Sequence, residues 1–196
     1  MQNFSYIIGD SGESAVVDPG WDVDELIEAA ESLKINKIIL THSHFDHVQK
    51  TGELADKTDA TIYLYEDEFE LLKKVVGNHK VHKLKDNDEI KVGNVKIKII
   101  HTPGHTSGGM CLLFENKLIT GDTLFVNAIG RTDLPGGNAP QLFDSLQKLK
   151  KLDDKIEVYP GHDYGDVPVS TIAREKKQNP YFMCKIKEDF LRMVGY

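Results

Sequence analysis

Six residues of the chain, His42-Ser-His44-Phe-Asp46-His47, carry three imidazoles and a carboxylate directly after the apolar run Ile38-Ile-Leu40. Side chains at 42 and 44 share a direction in an extended segment, whereas 46 and 47 turn into a helix and aim elsewhere. Such a geometry serves two adjacent metal ions better than one. The same pattern, an apolar strand followed within a few residues by a possible ligand, recurs three times. Ile97 to Ile100 precedes His105, Leu118-Ile119 precedes Asp122, and Val158-Tyr159 precedes His162. Strands lying side by side bring such ends to one sheet edge, where loops on a rigid scaffold carry catalytic groups. Every candidate ligand is nitrogen or oxygen, a set that suits zinc, iron or manganese. His79, His82 and His101 lack the strand-end context and are assigned to surface or structure.

The elements that must position these residues follow from hydrophobic periodicity. Phe4 to Ile8 and Ala15 to Val17 flank Asp10-Ser-Gly12 as a hairpin, and the second run stops at Asp18-Pro-Gly. Asp22 caps a helix carrying Val23, Leu26, Ile27, Ala30 and Leu33. Strand Lys37 to Leu40, a helix from Val48 to Lys57, strand Thr61 to Tyr65 and a helix from Glu66 to Val76 complete the first half. Glu89 to Val92 with Val95 to Ile100, and Met110 to Phe114 with Lys117 to Thr120, read as two further hairpins. A helix from Pro140 to Leu152, a short strand Ile156 to Tyr159 and a helical tail from Ser170, interrupted at Asn179-Pro180, close the chain. Both halves run through strands and helices in similar order, which predicts an α/β protein: two mixed sheets sandwiched between helices, αββα. A single domain over 1–196, ending in a short helical tail from about 170, is expected.

Composition narrows the partners. With 31 acidic against 24 basic residues the net charge is −7, and no Lys/Arg cluster interleaves with aromatics, so nucleic acid is not expected. No stretch reaches the roughly 18 apolar residues of a membrane helix, so no membrane partner is expected. The first residues lack a basic region and reach Asp10 before a long apolar run, and neither Cys111 nor Cys184 has a Cys neighbour at metal spacing. A cytoplasmic protein without disulfides is the expectation, with oligomeric state left open.

Taken with Thr102-Pro-Gly-His105-Thr-Ser-Gly, Gly121-Asp122-Thr and Tyr159-Pro-Gly-His162-Asp-Tyr164, the histidine-rich turn resembles the metallo-β-lactamase superfamily over nearly the whole chain. The resemblance implies one metal on His42, His44 and His105, a second on Asp46, His47 and His162, and Asp122 bridging, with Asp46 and Asp122 catalytic. Two divalent ions are implied, zinc first, iron or manganese otherwise. Facing only two carboxylates, they keep excess positive charge and lower the pKa of bound water from about 15.7 toward about 7.

His at 44 and Asp at 122 separate the chain from the redox di-iron and β-lactamase branches. Gly121-Asp-Thr-Leu-Phe, Gly130-Arg-Thr-Asp and the His162 motif instead look like the glyoxalase II group, the hydroxyacylglutathione hydrolases. A thioesterase acting on a small-molecule thioester or thiol-derived substrate is implied, its hydroxide attacking the carbonyl between the metals. Full-length members carry a larger helical C-terminal domain whose basic residues bind glutathione, whereas 34 residues follow His162 here. Arg131, Tyr164, Arg174 and Lys177 are the candidate substrate contacts. The alternative from the same motifs and from Ser170-Thr-Ile…Glu175-Lys…Asn179-Pro180 is a persulfide dioxygenase, with one iron on His42, His105 and Asp122. A third reading, from another class, is a non-catalytic metal-binding module.

Overall fold

Ser11 and Gly12, both at positive φ, close the hairpin between β1 (Tyr6–Asp10) and β2 (Glu13–Val17). In the computed structural model, which describes residues 3–196, this hairpin starts a five-stranded sheet of order β1-β2-β3-β4-β5. From β2 onward the strands run parallel: β3 (Lys34–Leu40), β4 (Thr61–Tyr65) and β5 (Val81–Leu84). The crossovers are α1 (Val23–Ala29), then α2 (Phe45–Val48) with α3 (Thr51–Thr58), then α4 (Phe69–Val76). A second sheet begins as the antiparallel meander β6 (Glu89–Val92), β7 (Val95–His101), β8 (Met110–Phe114) and β9 (Lys117–Gly121). After a small hairpin, β10 (Leu124–Phe125) with β11 (Ala128–Ile129), and α5 (Ala139–Leu149), strand β12 (Glu157–Pro160) joins β9 in parallel. The short β13 (Ser170–Thr171) forms the edge, followed by α6 (Ile172–Gln178), α7 (Pro180–Met183) and α8 (Lys187–Met193).

Three apolar clusters define the layers. Val17, Ile39, Ile97, Ile99 and Leu112 pack between the sheets. Val16, Ile38 and Leu40 face outward against Leu26, Leu54 and Leu72 of α1, α3 and α4, and Leu118 and Val158 face Leu142, Ile172, Phe182 and Phe190 of α5 to α8. Ile38, Ile39 and Leu40 thus bury successive side chains on both faces, which is why the strand reads as an unbroken apolar run rather than an alternating one. Each such side chain stabilises the fold by about 1.5–3 kcal/mol relative to exposure. The arrangement is the expected α/β sandwich, αββα.

Several boundaries differ from expectation. α1 stops at Ala29, not Leu33, because Glu31 adopts φ +54° and breaks the helical path. β3 starts three residues before Lys37, at Lys34. The helix expected over 48–57 is two: α2 begins at Phe45, and the chain re-forms α3 at Thr51. Glu66–Glu68 is a separate 3-10 turn ahead of α4. β5 lies outside the elements expected from periodicity because Val81-His-Lys-Leu84 is a short edge strand with only two apolar residues. The tail opens as strand β13 before turning helical, and its break falls at Asn179-Pro180 as expected.

Candidate metal centre

The donors arrive on strand ends from both sheets. β3 delivers Thr41 and His42, and His44, still extended at φ −65° and ψ 141°, caps α2, whose first turn carries Asp46 and His47. From the second sheet, the loop after β7 supplies His105, β9 leads into Asp122, and β12 leads into His162. A backbone bond from Met110 N to Thr41 O (3.0 Å) ties the sheets together beside the site, and Gly161 N donates to Gly121 O (2.8 Å). Gly161 and Gly130 serve close approach. A Cβ on Gly161 would collide with Asp122 Oδ1, and one on Gly130 with the Asp122 carbonyl and His105 Nδ1.

All seven predicted donors converge. Their atoms fall into one group of His42, His44, His105 and Asp122 and another of Asp46, His47 and His162, the atoms within each group lying within 4.8 Å of one another. His44 Nδ1 is 2.8 Å from His105 Nε2, and His47 Nε2 is 3.2 Å from His162 Nε2. Asp122 lies between the groups: Oδ2 is 3.5 Å from His105 Nε2 and 3.3 Å from His162 Nε2, and Oδ1 is 3.3 Å from His47 Nε2. Asp46 Oδ2 is 3.4 Å from His162 Nε2. His42, His47, His105, Asp122 and His162 are buried, whereas Asp46 is half-buried and opens on the cavity above.

What holds the imidazoles is a ring of acceptors behind them. His105 Nδ1 donates to Arg131 O (2.7 Å) and His47 Nδ1 to Asp18 Oδ2 (3.0 Å). Asp18 also accepts from Thr41 N (2.7 Å) and Thr41 Oγ1 (2.6 Å), leaving that hydroxyl oxygen to accept from His42 Nδ1 (3.0 Å). With Nδ1 protons committed outward, the Nε2 atoms of His42, His47 and His105 point at the cluster, the arrangement that orients metal-bound histidines. Asp18 was not foreseen as part of the site. Its signal was present: it follows β2 as the other donors follow their strands, but Asp-Pro-Gly read as a turn.

The residues fit a metal pair. Buried His42 Nε2 and Asp122 Oδ1 have no hydrogen-bond partner, although both face the cluster. Close approach of two imidazole lone pairs is repulsive unless a cation or proton lies between them, and it occurs here twice. Burial pushes the pKa of His42 well down and also lowers those of His44 and His105, keeping these ligands neutral. Burial alone would do the same to His47, but the hydrogen bond and charge of Asp18, with Asp122 and Asp46, raise it to about 9. Although burial opposes it, the imidazoles, His42 first, hold the Asp122 carboxyl far below its ordinary range.

Beside the cluster lies a cavity of about 550 Å³ lined in part by Phe45, Phe125, Arg131 and Tyr164. Tyr164 stacks flat on His162, ring centroids 4.8 Å apart, and meets Phe125 edge-on at 5.2 Å. Of the predicted substrate contacts, Arg131 and Tyr164 reach this cavity. Arg174 and Lys177 do not: the Arg174 guanidinium is held bidentately by Asp166 (2.6 and 2.7 Å), and Lys177 is exposed on α6. Arg131 is itself paired with Asp133 (2.7 and 2.6 Å). His79 lies by Asp56, His82 by Tyr63, and His101 stacks on Tyr65, all outside the cluster.

This fold and donor set are those of a metal-site superfamily. The model of the metallo-beta-lactamase superfamily matches residues 1–162, and the chain belongs to that superfamily. It is 35% identical to a probable polyketide biosynthesis zinc-dependent hydrolase of Bacillus subtilis (strain 168), covering 97% of this chain and 86% of that one. To a hydroxyacylglutathione hydrolase of Francisella philomiragia it is 33% identical, covering 92% and 72%. The crystal structure of ETHE1 from Myxococcus xanthus superposes with a TM-score of 0.87 at 34% identity, covering 99% and 85%.

Proposed function

We propose that the protein is a metal-dependent thioesterase of the glyoxalase II type, with His42, His44 and His105 holding one ion, Asp46, His47 and His162 a second, and Asp122 shared. The observation that carries this reading is the position of Asp122, whose two carboxylate oxygens face histidines of both groups. The likeness to a zinc-dependent hydrolase and to a hydroxyacylglutathione hydrolase supports it. When bound, such a pair supplies an activated water and polarises a carbonyl oxygen. The chain's own contribution is positional. Asp46, open to the cavity, orients the attacking water and accepts its proton, while Asp18, Thr41 and Arg131 O keep the imidazoles aimed. The wall of Phe125 and Tyr164 excludes bulk water from one side of the reacting centre.

The test is elemental analysis of protein never exposed to chelator, paired with hydrolysis of S-lactoylglutathione and simple thioesters. Close to two ions per chain and thioester cleavage are expected for a two-metal site. The second reading, a one-iron persulfide dioxygenase, is favoured by the convergence of His42 and His105 on Asp122 as a two-histidine, one-carboxylate face (3.9 and 3.5 Å). One iron per chain with sulfite-producing oxygen uptake would establish it instead.

A further inference from the structure

Apart from the candidate metal ligands, the cavity is nearly devoid of charge. Phe45, Phe125, Ala128, Ile129, Leu134 and Tyr164 make most of its wall, and Arg131 is the one cation among the described lining residues. That cation is shared, since both its Nε and a terminal nitrogen are bonded to Asp133. A substrate held by two carboxylates, as a glutathione conjugate would be, therefore finds one shared cation here for two charges, and burying an unpaired charge is costly. Apolar surface finds the opposite.

Two features at the rim point to what fills the wall. Phe45, between two metal-ligand candidates, is 75% exposed. Leaving a Phe ring in water forgoes about 1.5–3 kcal/mol of burial, which a ligand covering it recovers. Tyr164, also lining the cavity and 56% exposed, is fixed against His162 and Phe125 by flat and edge-on contacts, so its ring is a rigid surface. Phe125, Ala128 and Ile129 belong to the β10–β11 hairpin, and that hairpin is pinned from behind: Asn179 Nδ2 donates to Ala128 O (2.9 Å), and Glu175 accepts from Asn127 N (2.9 Å). The apolar wall is preformed.

We infer that the thioester taken by this site presents an uncharged, apolar acyl chain of several carbons to the wall between Phe45 and Tyr164. This rests on the thioesterase reading above for the position of the carbonyl at the metal cluster. Chain length is the variable that exposes it, because each methylene entering an apolar wall is worth about fourfold in affinity, from about 0.8 kcal/mol per buried CH₂.

The experiment uses the zinc-loaded full chain and two series on N-acetylcysteamine: acetyl, butyryl and hexanoyl thioesters for kcat/KM, and non-hydrolysable S-alkyl thioethers of matching length for calorimetric Kd. Thioether affinity is expected to tighten about fourfold per methylene over the first few carbons, with kcat/KM rising in parallel. In Phe45→Ser, whose exposed position spares the fold, and in Tyr164→Ala, the gain per methylene falls below twofold. If no thioester is cleaved while thioether affinity still climbs with length, the thioesterase reading falls and the apolar preference stands. Affinity that is flat with length, or S-lactoylglutathione cleaved with higher kcat/KM than the hexanoyl ester, overturns it.

Discussion

His47 and Asp18, 29 residues apart in sequence, are joined by a 3.0 Å hydrogen bond that turns the imidazole so that its other nitrogen faces Asp122 and His162. Both side chains are buried. Asp18→Asn keeps the shape but loses the charge and offers an amide toward the Thr41 and His47 donors. Metal retention at the Asp46, His47 and His162 group should weaken about 10–100-fold, the usual effect of losing such a supporting acceptor. Competition with a chromophoric chelator measures it, and unchanged retention would remove Asp18 from the site.

The same relationship sets a pH dependence. With a pKa raised to about 9, His47 carries a proton at neutral pH in the metal-free protein, and an ion binding there must displace it. Apparent affinity should therefore climb about tenfold per pH unit up to about pH 9 and level off above it. Stability of the metal-free protein carries the opposite sign. A raised pKa stabilises the fold fully below the unfolded value of about 6.5, and that stabilisation is lost as pH rises through about 9. Tm of metal-free protein should thus fall between pH 7 and pH 9.5, and proton release on adding zinc at pH 7 should be detectable with an indicator dye.

Replacing Asp122 by Ala removes a carboxylate that faces histidines of both groups. On the thioesterase proposal, thioester hydrolysis should drop by more than about a thousandfold, with metal content falling alongside. Retained turnover would refute a shared role.

Glu175 on α6 is fully buried and accepts from Ser170 Oγ, Asn127 N (2.9 Å) and Asn179 Nδ2 (2.9 Å). Glu175→Ala leaves these donors unsatisfied and should cost about 3 kcal/mol or more in urea unfolding.

Cys111 is buried and its thiol is pushed up to about 11 by desolvation. Iodoacetamide at pH 7.5 should label Cys184 and spare Cys111, because the thiolate is the reactive form. Cys111→Ser and Cys184→Ser should each keep full turnover.

Much of this architecture is legible in the chain because burial on two faces writes itself as runs such as Ile38-Ile-Leu40, and because each donor stands just past such a run. The expected donors His42, His44, Asp46, His47, His105, Asp122 and His162 all fall in the cluster. Less legible is whatever depends on partners distant in sequence. Asp18 looks like a turn residue until Thr41 and His47 are beside it, and Arg174 looks free until Asp166 is. β5 and the two-residue strands β10 and β11 are too short or too polar for periodicity to register.

The donors span the chain: His47 and His162, whose ring nitrogens nearly touch, are 115 residues apart and come from different sheets. Neither half can assemble the donor set alone. During synthesis the donors of the first sheet emerge long before those of the second, so an ion that needs donors from both has to wait until the sheets have docked. Metal uptake then acts as a late lock on a nearly finished fold, and chelation should loosen the seam between the sheets before it melts either one.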